Sequence, residues 1–190
     1  MKKIILFTLI LSSEFLFQSC DKEEAEPPLP TLAIGDFHEG GVIFHLDESG
    51  EHGLVCAVLD QGFDIEWGCP SLLNFGAKGL EIGTGAQNTL DIITACNTTG
   101  IAADLCDKLN HNGYEDWFLP SRDELDSLYQ HRDIVEETCL ENNGGYLHAG
   151  EYWSSSHYLD NTVWIQNFGA GNQSSELKDK KNYVRAIRTF

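Results

Sequence analysis

The stretch GYEDWFLPSRDELDSLY, residues 113–129, crowds Glu115, Asp116, Asp123, Glu124 and Asp126 around Ser121, Arg122 and Ser127. Carboxylates this close together could trade protons as a general acid and base. A second stretch offers nucleophile chemistry: Ser154, Ser155 and Ser156 are followed by His157 and Asp160, the residue types of a hydrolytic triad. A third offers recognition. Asp160, Asn161, Asn167, Asn172 and Gln173 flank an apolar run that carries Trp164. Amides and carboxylates on such loops can hydrogen-bond sugar hydroxyls, and an indole can stack on a sugar ring.

The first two candidates give way to structural readings. Pro120 disfavours helix at Leu119, and Ser121 with Glu124 forms an S-x-x-E capping box. Asp123 and Glu124 then sit at the positive end of a helix dipole, while Leu125, Leu128 and Tyr129 recur on one face. A ligand role remains open only for Glu115 or Asp116. Triad members are brought together by a fold rather than strung along one strand, and no G-x-S-x-G elbow is present. No catalytic residue is therefore assigned. The polar loop set also suits turn formation, so it stands as a candidate ligand surface and no more. The seven histidines form neither H-E-x-x-H nor i, i+4 pairs, and GTGAQN lacks the third glycine of a dinucleotide loop. No CxxC pair exists, so no metal ligand is assigned.

The start of the chain points to export. Lys2 and Lys3 precede the apolar run 4–11, which is shorter than the roughly 20 residues a membrane span needs. FQSC, residues 17–20, resembles the lipobox of bacterial lipoproteins, which makes Cys20 the lipidation candidate. Phe17 and Glu14 depart from that pattern. Residues 1–19 then read as a signal peptide, 20–36 as an acidic, proline-containing tether, and 37–190 as a single domain. An acidic stretch after the cysteine also resembles surface-export signals, which places the protein at the outer membrane, facing out. With 12 Lys and Arg against 30 Asp and Glu, the chain carries a net charge of −18, which repels nucleic acid. The exception is 178–188, where Lys178, Lys180, Lys181, Arg185 and Arg188 face Asp179 alone. Cysteines in an exported protein favour disulfides. Spacing leaves the connectivity open; Cys56–Cys69 and Cys96–Cys106 are the favoured pairs, with Cys139 spare.

The positioning elements follow from periodicity. Residues 41–59 predict a β-hairpin, with Val42, Phe44 and Leu46 on one face and DESGEH as the turn. Residues 60–85 look irregular, with Trp67 and Phe75 as anchors. Leu90 and Ile93 predict the buried face of one helix, and Ile101, Leu105 and Leu109 that of a second. YWSSS (152–156), TVWIQNF (162–168) and YVRAIRTF (183–190) predict strands. Strands at both ends of a helical middle indicate α+β, with one antiparallel sheet, two to three short helices on one side, and long loops.

Four segments taken in order, GGVIFHLDESGEHGLVCA, GYEDWFLPSRDELDSLY, EYWSSS and YVRAIR, resemble the family of the C-terminal domain of the collagen-like bacterial adhesin Lcl. The resemblance implies a C-type-lectin-like α+β domain whose first and last strands pair and whose loops form one ligand-facing surface. It also implies a non-enzymatic adhesion module contacting a glycan or a cell-surface protein; the alternative is a structural or assembly component of the envelope with no small ligand. The adhesin relative binds sulfated glycosaminoglycans, a property this acidic chain could share only if Lys178, Lys180 and Lys181 form a patch. The family shares landmarks with formylglycine-generating enzymes, but their C-terminal cysteine pair is missing here. The calcium triplets of C-type lectins are missing too, which leaves calcium as an open cofactor and no other implied.

Overall fold

The computed structural model describes residues 31–71 and 76–190. Cys20, the signal peptide, most of the tether and the expected anchor Phe75 lie outside them. Thr31–Phe190 forms one compact unit, and Leu32 and Ile34, assigned to the tether from sequence, pack against its core.

The expected hairpin is present, and both of its faces are buried. A short β1 (Phe37–His38) pairs antiparallel with β2 (Gly41–Leu46), which pairs with β3 (Gly53–Cys56). The turn between β2 and β3 is held by Asp47, whose Oδ1 accepts from the Ser49 amide at 2.9 Å, with Gly50 at φ 72°. Val42, Ile43 and Phe44 are all fully buried. Alternate side chains serve two core halves: Ile43 and Val55 face one, Val42, Phe44, Leu54 and Cys56 the other. A strand apolar on both faces needs cover on both, so helices pack on both sides rather than the one side expected.

The first half is covered by α1 (Gly85–Ala95) and α2 (Ala102–Asp107), which bring Ile92, Ala102, Ala103 and Cys106. The second is covered by α3 (Arg122–Gln130) and α4 (Arg132–Glu141), which bring Leu125, Leu128, Val135 and Cys139. The α1 face differs from expectation: Leu90 is half exposed, and Asn88, Thr89 and Ile92 are buried instead. Asn88 and Thr89 point inward because each has hydrogen-bond partners there, as described below.

The remaining strands are β4 (Gly62–Glu66), β5 (Glu151–His157), β6 (Thr162–Asn167), β7 (Gln173–Leu177), β8 (Lys181–Val184) and β9 (Ile187–Thr189). They complete two sheets rather than one, ordered β1-β2-β3-β9 and β4-β8-β5-β6-β7. Pairing is antiparallel except between β5 and β8. The first and last strands share the first sheet, with β9 joining the N-terminal hairpin through β3. The strand expected at 183–190 is broken at Arg185–Ala186, where the chain crosses from one sheet to the other.

Candidate functional site

Glu124, the most inviting acid in the sequence, is fully buried. Ser121 and Glu124 form the complete capping box of α3: Ser121 Oγ accepts from Glu124 N at 3.3 Å, and Glu124 Oε2 accepts from Ser121 N at 2.7 Å. The same carboxylate serves a second helix. Its Oε1 accepts from Gly83 N at 2.7 Å, and Gly85 N also donates to it. The α1 N-cap, Thr84, makes no side-chain cap of its own, and the first turn of α1 has no acid. One carboxylate thus sits at two helix N-termini. A Cβ at Gly85 would run into Glu124 Oε2 and crowd the Leu119 carbonyl, so a side chain there would displace the shared carboxylate. Burial pushes the Glu124 carboxyl up, and the backbone donors pull it back.

The serines of β5 stitch this corner to the sheet. Ser156 Oγ donates to Gly79 O at 2.6 Å and accepts from Arg122 N at 3.0 Å. Ser155 Oγ accepts from Asn88 Nδ2 at 3.2 Å, and Ser154 Oγ donates to Trp164 O at 2.8 Å. Thr89 Oγ1 accepts from Leu119 N at 3.0 Å. His157 Nε2 lies 2.9 Å from the Asp160 carbonyl rather than against a serine hydroxyl, and burial pushes its pKa down. No nucleophile–base pair forms among these groups.

Glu115 and Asp116 are also engaged. Glu115 Oε1 accepts from Asn110 Nδ2 at 2.5 Å, and Asp116 takes both arms of the Arg188 guanidinium at 2.7 and 3.0 Å. The Arg188 hydrogen bonds hold the Asp116 carboxyl below its usual range. Both acids line a cleft of about 260 Å³ with Ala86, Leu90, Asp107 and Trp117. A larger cleft, about 390 Å³, lies between Leu59–Gln61 and the end of α2, with His111 and Lys108 on its rim.

The basic tract does not make a patch. Lys178 is buried with its ammonium 5.2 Å from the Trp67 ring centroid, and burial pushes its pKa down to about 8. Lys181 pairs with Asp64 at 3.1 Å, and Arg188 with Asp116 and Glu39. Arg185 is buried and bonded to Asp60 at 2.6 Å. Burial works against its charge, but Asp60, Cys56, Cys139 and Tyr152 together outweigh that and hold the guanidinium above its ordinary pKa. Tyr152 Oη completes this network by donating to Asp60 at 3.0 Å.

The recognition candidates separate into two groups. Asn167 Oδ1 accepts from the amides of Gly169 and Ala170, and Gln173 Nε2 donates to Arg122 O at 2.8 Å, so both hold turns and strands. Asn161 accepts Lys178 N through its carbonyl. Asp160 and Asn172 are exposed, Asp160 in a left-handed turn at φ 47°. Trp164 is half-buried on the face of β6 opposite Val163 and Ile165. The Tyr158 ring meets it edge-on at 4.8 Å, and the Arg122 guanidinium lies 5.3 Å from its centroid. Tyr158 is exposed and extends this face, and nothing in the sequence pattern marks Tyr158 or Arg122 as part of it. The signal for Arg122 was present in LPSR, but only the fold brings it to β6.

Among the described residues one disulfide forms, Cys69–Cys96, with a Cα–Cα distance of 5.7 Å. It replaces both expected pairs. Cys56 is committed to the strand core of the second half, while Cys69 follows β4 and lies beside the end of α1. Cys56, Cys106 and Cys139 are buried thiols. No group of three or more His, Cys, Asp or Glu gathers to hold a metal ion among the described residues. Nor is any helix among them long and apolar enough to cross a membrane.

Comparison with known proteins adds two findings. The family model described as the Lcl C-terminal domain matches residues 57–188. A crystal structure of a fimbrial protein from Bacteroides ovatus ATCC 8483 is similar in fold, with a TM-score of 0.56 at 12% identity, covering 72% of this chain. This chain spans 35% of that one. No curated protein matches.

Proposed function

This chain belongs to the Lcl C-terminal domain family, and on that premise we propose that it is a non-enzymatic adhesion module displayed at the cell surface. It binds a glycan on the face formed by Trp164, Tyr158 and Arg122, with Asp160 and Asn172 offering hydrogen bonds at the margin. The observation that carries this reading is a contrast. The acids, serines and histidine suited to catalysis are tied to backbone, to asparagine or to arginine, while an indole is left half-open on a rigid strand. Aromatic rings on a fixed sheet suit the apolar faces of sugars. A similar fold in a protein described as fimbrial supports a surface role. The dispersed basic tract argues for a neutral glycan over a polysulfated one.

Cys20 would carry the lipid, and the acidic residues after it would hold the domain off the outer membrane. Metabolic labelling with palmitate is expected to mark the wild type and not Cys20→Ala; equal labelling of both overturns the anchor. The ligand is tested by a glycan array probed with the full-length chain in detergent, with added calcium and with chelator. Binding that Trp164→Ala abolishes supports the reading. Failure on every glycan in both conditions overturns it and favours a protein partner, which exposed Leu159 and Leu177 would suit.

A further inference from the structure

Cys56 and Cys139 come from distant parts of the sequence and meet beneath α4. Cys56 ends β3, Cys139 lies in the last turn of α4, and neither exposes any surface. The two thiols belong to one buried cluster and lie within interaction range of one another. Arg185 ties the two segments together: Nη1 donates to Ala57 O at 2.8 Å, next to Cys56, and lies 3.8 Å from Cys139 Sγ. The chain leaving α4 is latched to the same strand. Gly144 N donates to Cys139 O at 2.8 Å, and Gly145 N to Val58 O at 2.9 Å. A Cβ at Gly144 would collide with Val58 O and Cys139 O alike, which shows how closely the two backbones approach. Cys106 packs in the other half of the core.

We propose that Cys56 and Cys139 are a modification site that closes as a second disulfide, tying β3 to α4 and leaving Cys106 as the odd thiol. The pairing rests on this geometry; the oxidant rests on the reading that the chain is exported. Cys139 gives up its proton to solvent and, as the thiolate, attacks one sulfur of an external disulfide of the glutathione or thiol-oxidase class. That S–S bond breaks, one half leaves as a thiol, and a mixed disulfide forms on Cys139. The Cys56 thiolate then attacks Cys139 Sγ and expels the second half. Two protein thiols are oxidised and one external disulfide is reduced to two thiols. Both sulfurs are buried in the folded domain, so the exchange takes place before α4 closes over β3. Cys69–Cys96 links β4's end to α1 on one side of the molecule; the new bond does the same for the other.

The test is a peptide map. Full-length chain is refolded in a mixture of reduced and oxidised glutathione, blocked with iodoacetamide and digested. The expected result is a Cys56–Cys139 peptide beside Cys69–Cys96, with alkylation at Cys106 and at Cys20. Closing the bond raises the thermal midpoint by roughly 10 °C over the Cys56→Ser variant in the same buffer. If Cys56→Ser does not fold, the map decides alone. Alkylated Cys56 and Cys139 beside an intact Cys69–Cys96 overturns the proposal. The same map on chain extracted from bacterial envelopes separates the two readings. If the pair closes in glutathione but all cysteines are reduced in the envelope extract, export fails and the pairing stands.

Discussion

Glu124 is acidic, buried and surrounded by donors, and each of those properties also describes a catalytic group. What distinguishes it is where the donors come from: the backbone amides of Ser121, Gly83 and Gly85, at two helix starts, already hold both carboxylate oxygens. Replacing the carboxylate by an amide turns one acceptor into a donor aimed at backbone N–H. Glu124→Gln is therefore expected to lower stability by about 2 kcal/mol, read by urea denaturation, while leaving ligand binding unchanged; unaltered stability would mean the cap is dispensable. Titration gives a second prediction at this scale. Burial lowers the pKa of His45, His111 and His157 below 6.5, so these groups favour the folded state above that value and lose that contribution as pH falls through their folded pKa values. Asp116, held low by Arg188, loses its contribution further down, below 3.8. Glu124 acts with the opposite sign: its raised pKa favours the folded state below 4.5, and this fades as pH rises. The thermal midpoint is expected to fall as pH drops from about 7 to about 5; a rise would contradict the lowered pKa values of these three histidines.

At the scale of elements, apolar periodicity located the N-terminal hairpin, α2 and β6, because those segments bury one or two apolar faces, while Pro120 and the S-x-x-E capping box located the start of α3. It failed where polar residues are buried for their bonds. Asn88 and Thr89 rotate α1 away from its apolar stripe, since Gly79, Ser155 and Leu119 offer them partners that no local pattern reveals. Arg185 breaks the final strand for the same reason, its partner Asp60 being distant in sequence. The Cys69–Cys96 bond joins the turn after β4 to the end of α1, a pairing that no periodic signal in the sequence reveals. Of the recognition candidates, Trp164 was legible as a large apolar residue out of phase with Val163 and Ile165; Arg122 and Tyr158 reach it only through tertiary packing. Gln166 marks an opposite case. It is fully buried on β6, and neither amide atom has a hydrogen-bond partner among the described residues. An unpartnered buried amide costs about 1–3 kcal/mol, so Gln166→Met is expected to stabilise the domain by roughly that amount. Destabilisation in urea would indicate a partner for Gln166 outside the protein.

For the whole molecule, the proposed role in contact rather than turnover draws on charge and on architecture. The full chain carries a net charge of −18, and the five bases of 178–188 are buried, paired or separated, so among the described residues this tract forms no positive patch for a polyanion. Two core halves on either side of the hairpin make a rigid platform, and β6 presents Trp164 on it. Anchoring through Cys20 would set this platform at the cell surface, where many copies acting together strengthen weak individual contacts. The most direct test compares wild type, Trp164→Ala, Tyr158→Ala and Glu124→Gln for glycan binding, with the melting temperature of each recorded. The account predicts that the two aromatic variants lose binding at least tenfold, about 1.4 kcal/mol or more, with near-normal melting, while Glu124→Gln melts early and still binds when folded. Binding untouched by either aromatic substitution, or a turnover activity lost in Glu124→Gln at unchanged stability, would contradict it.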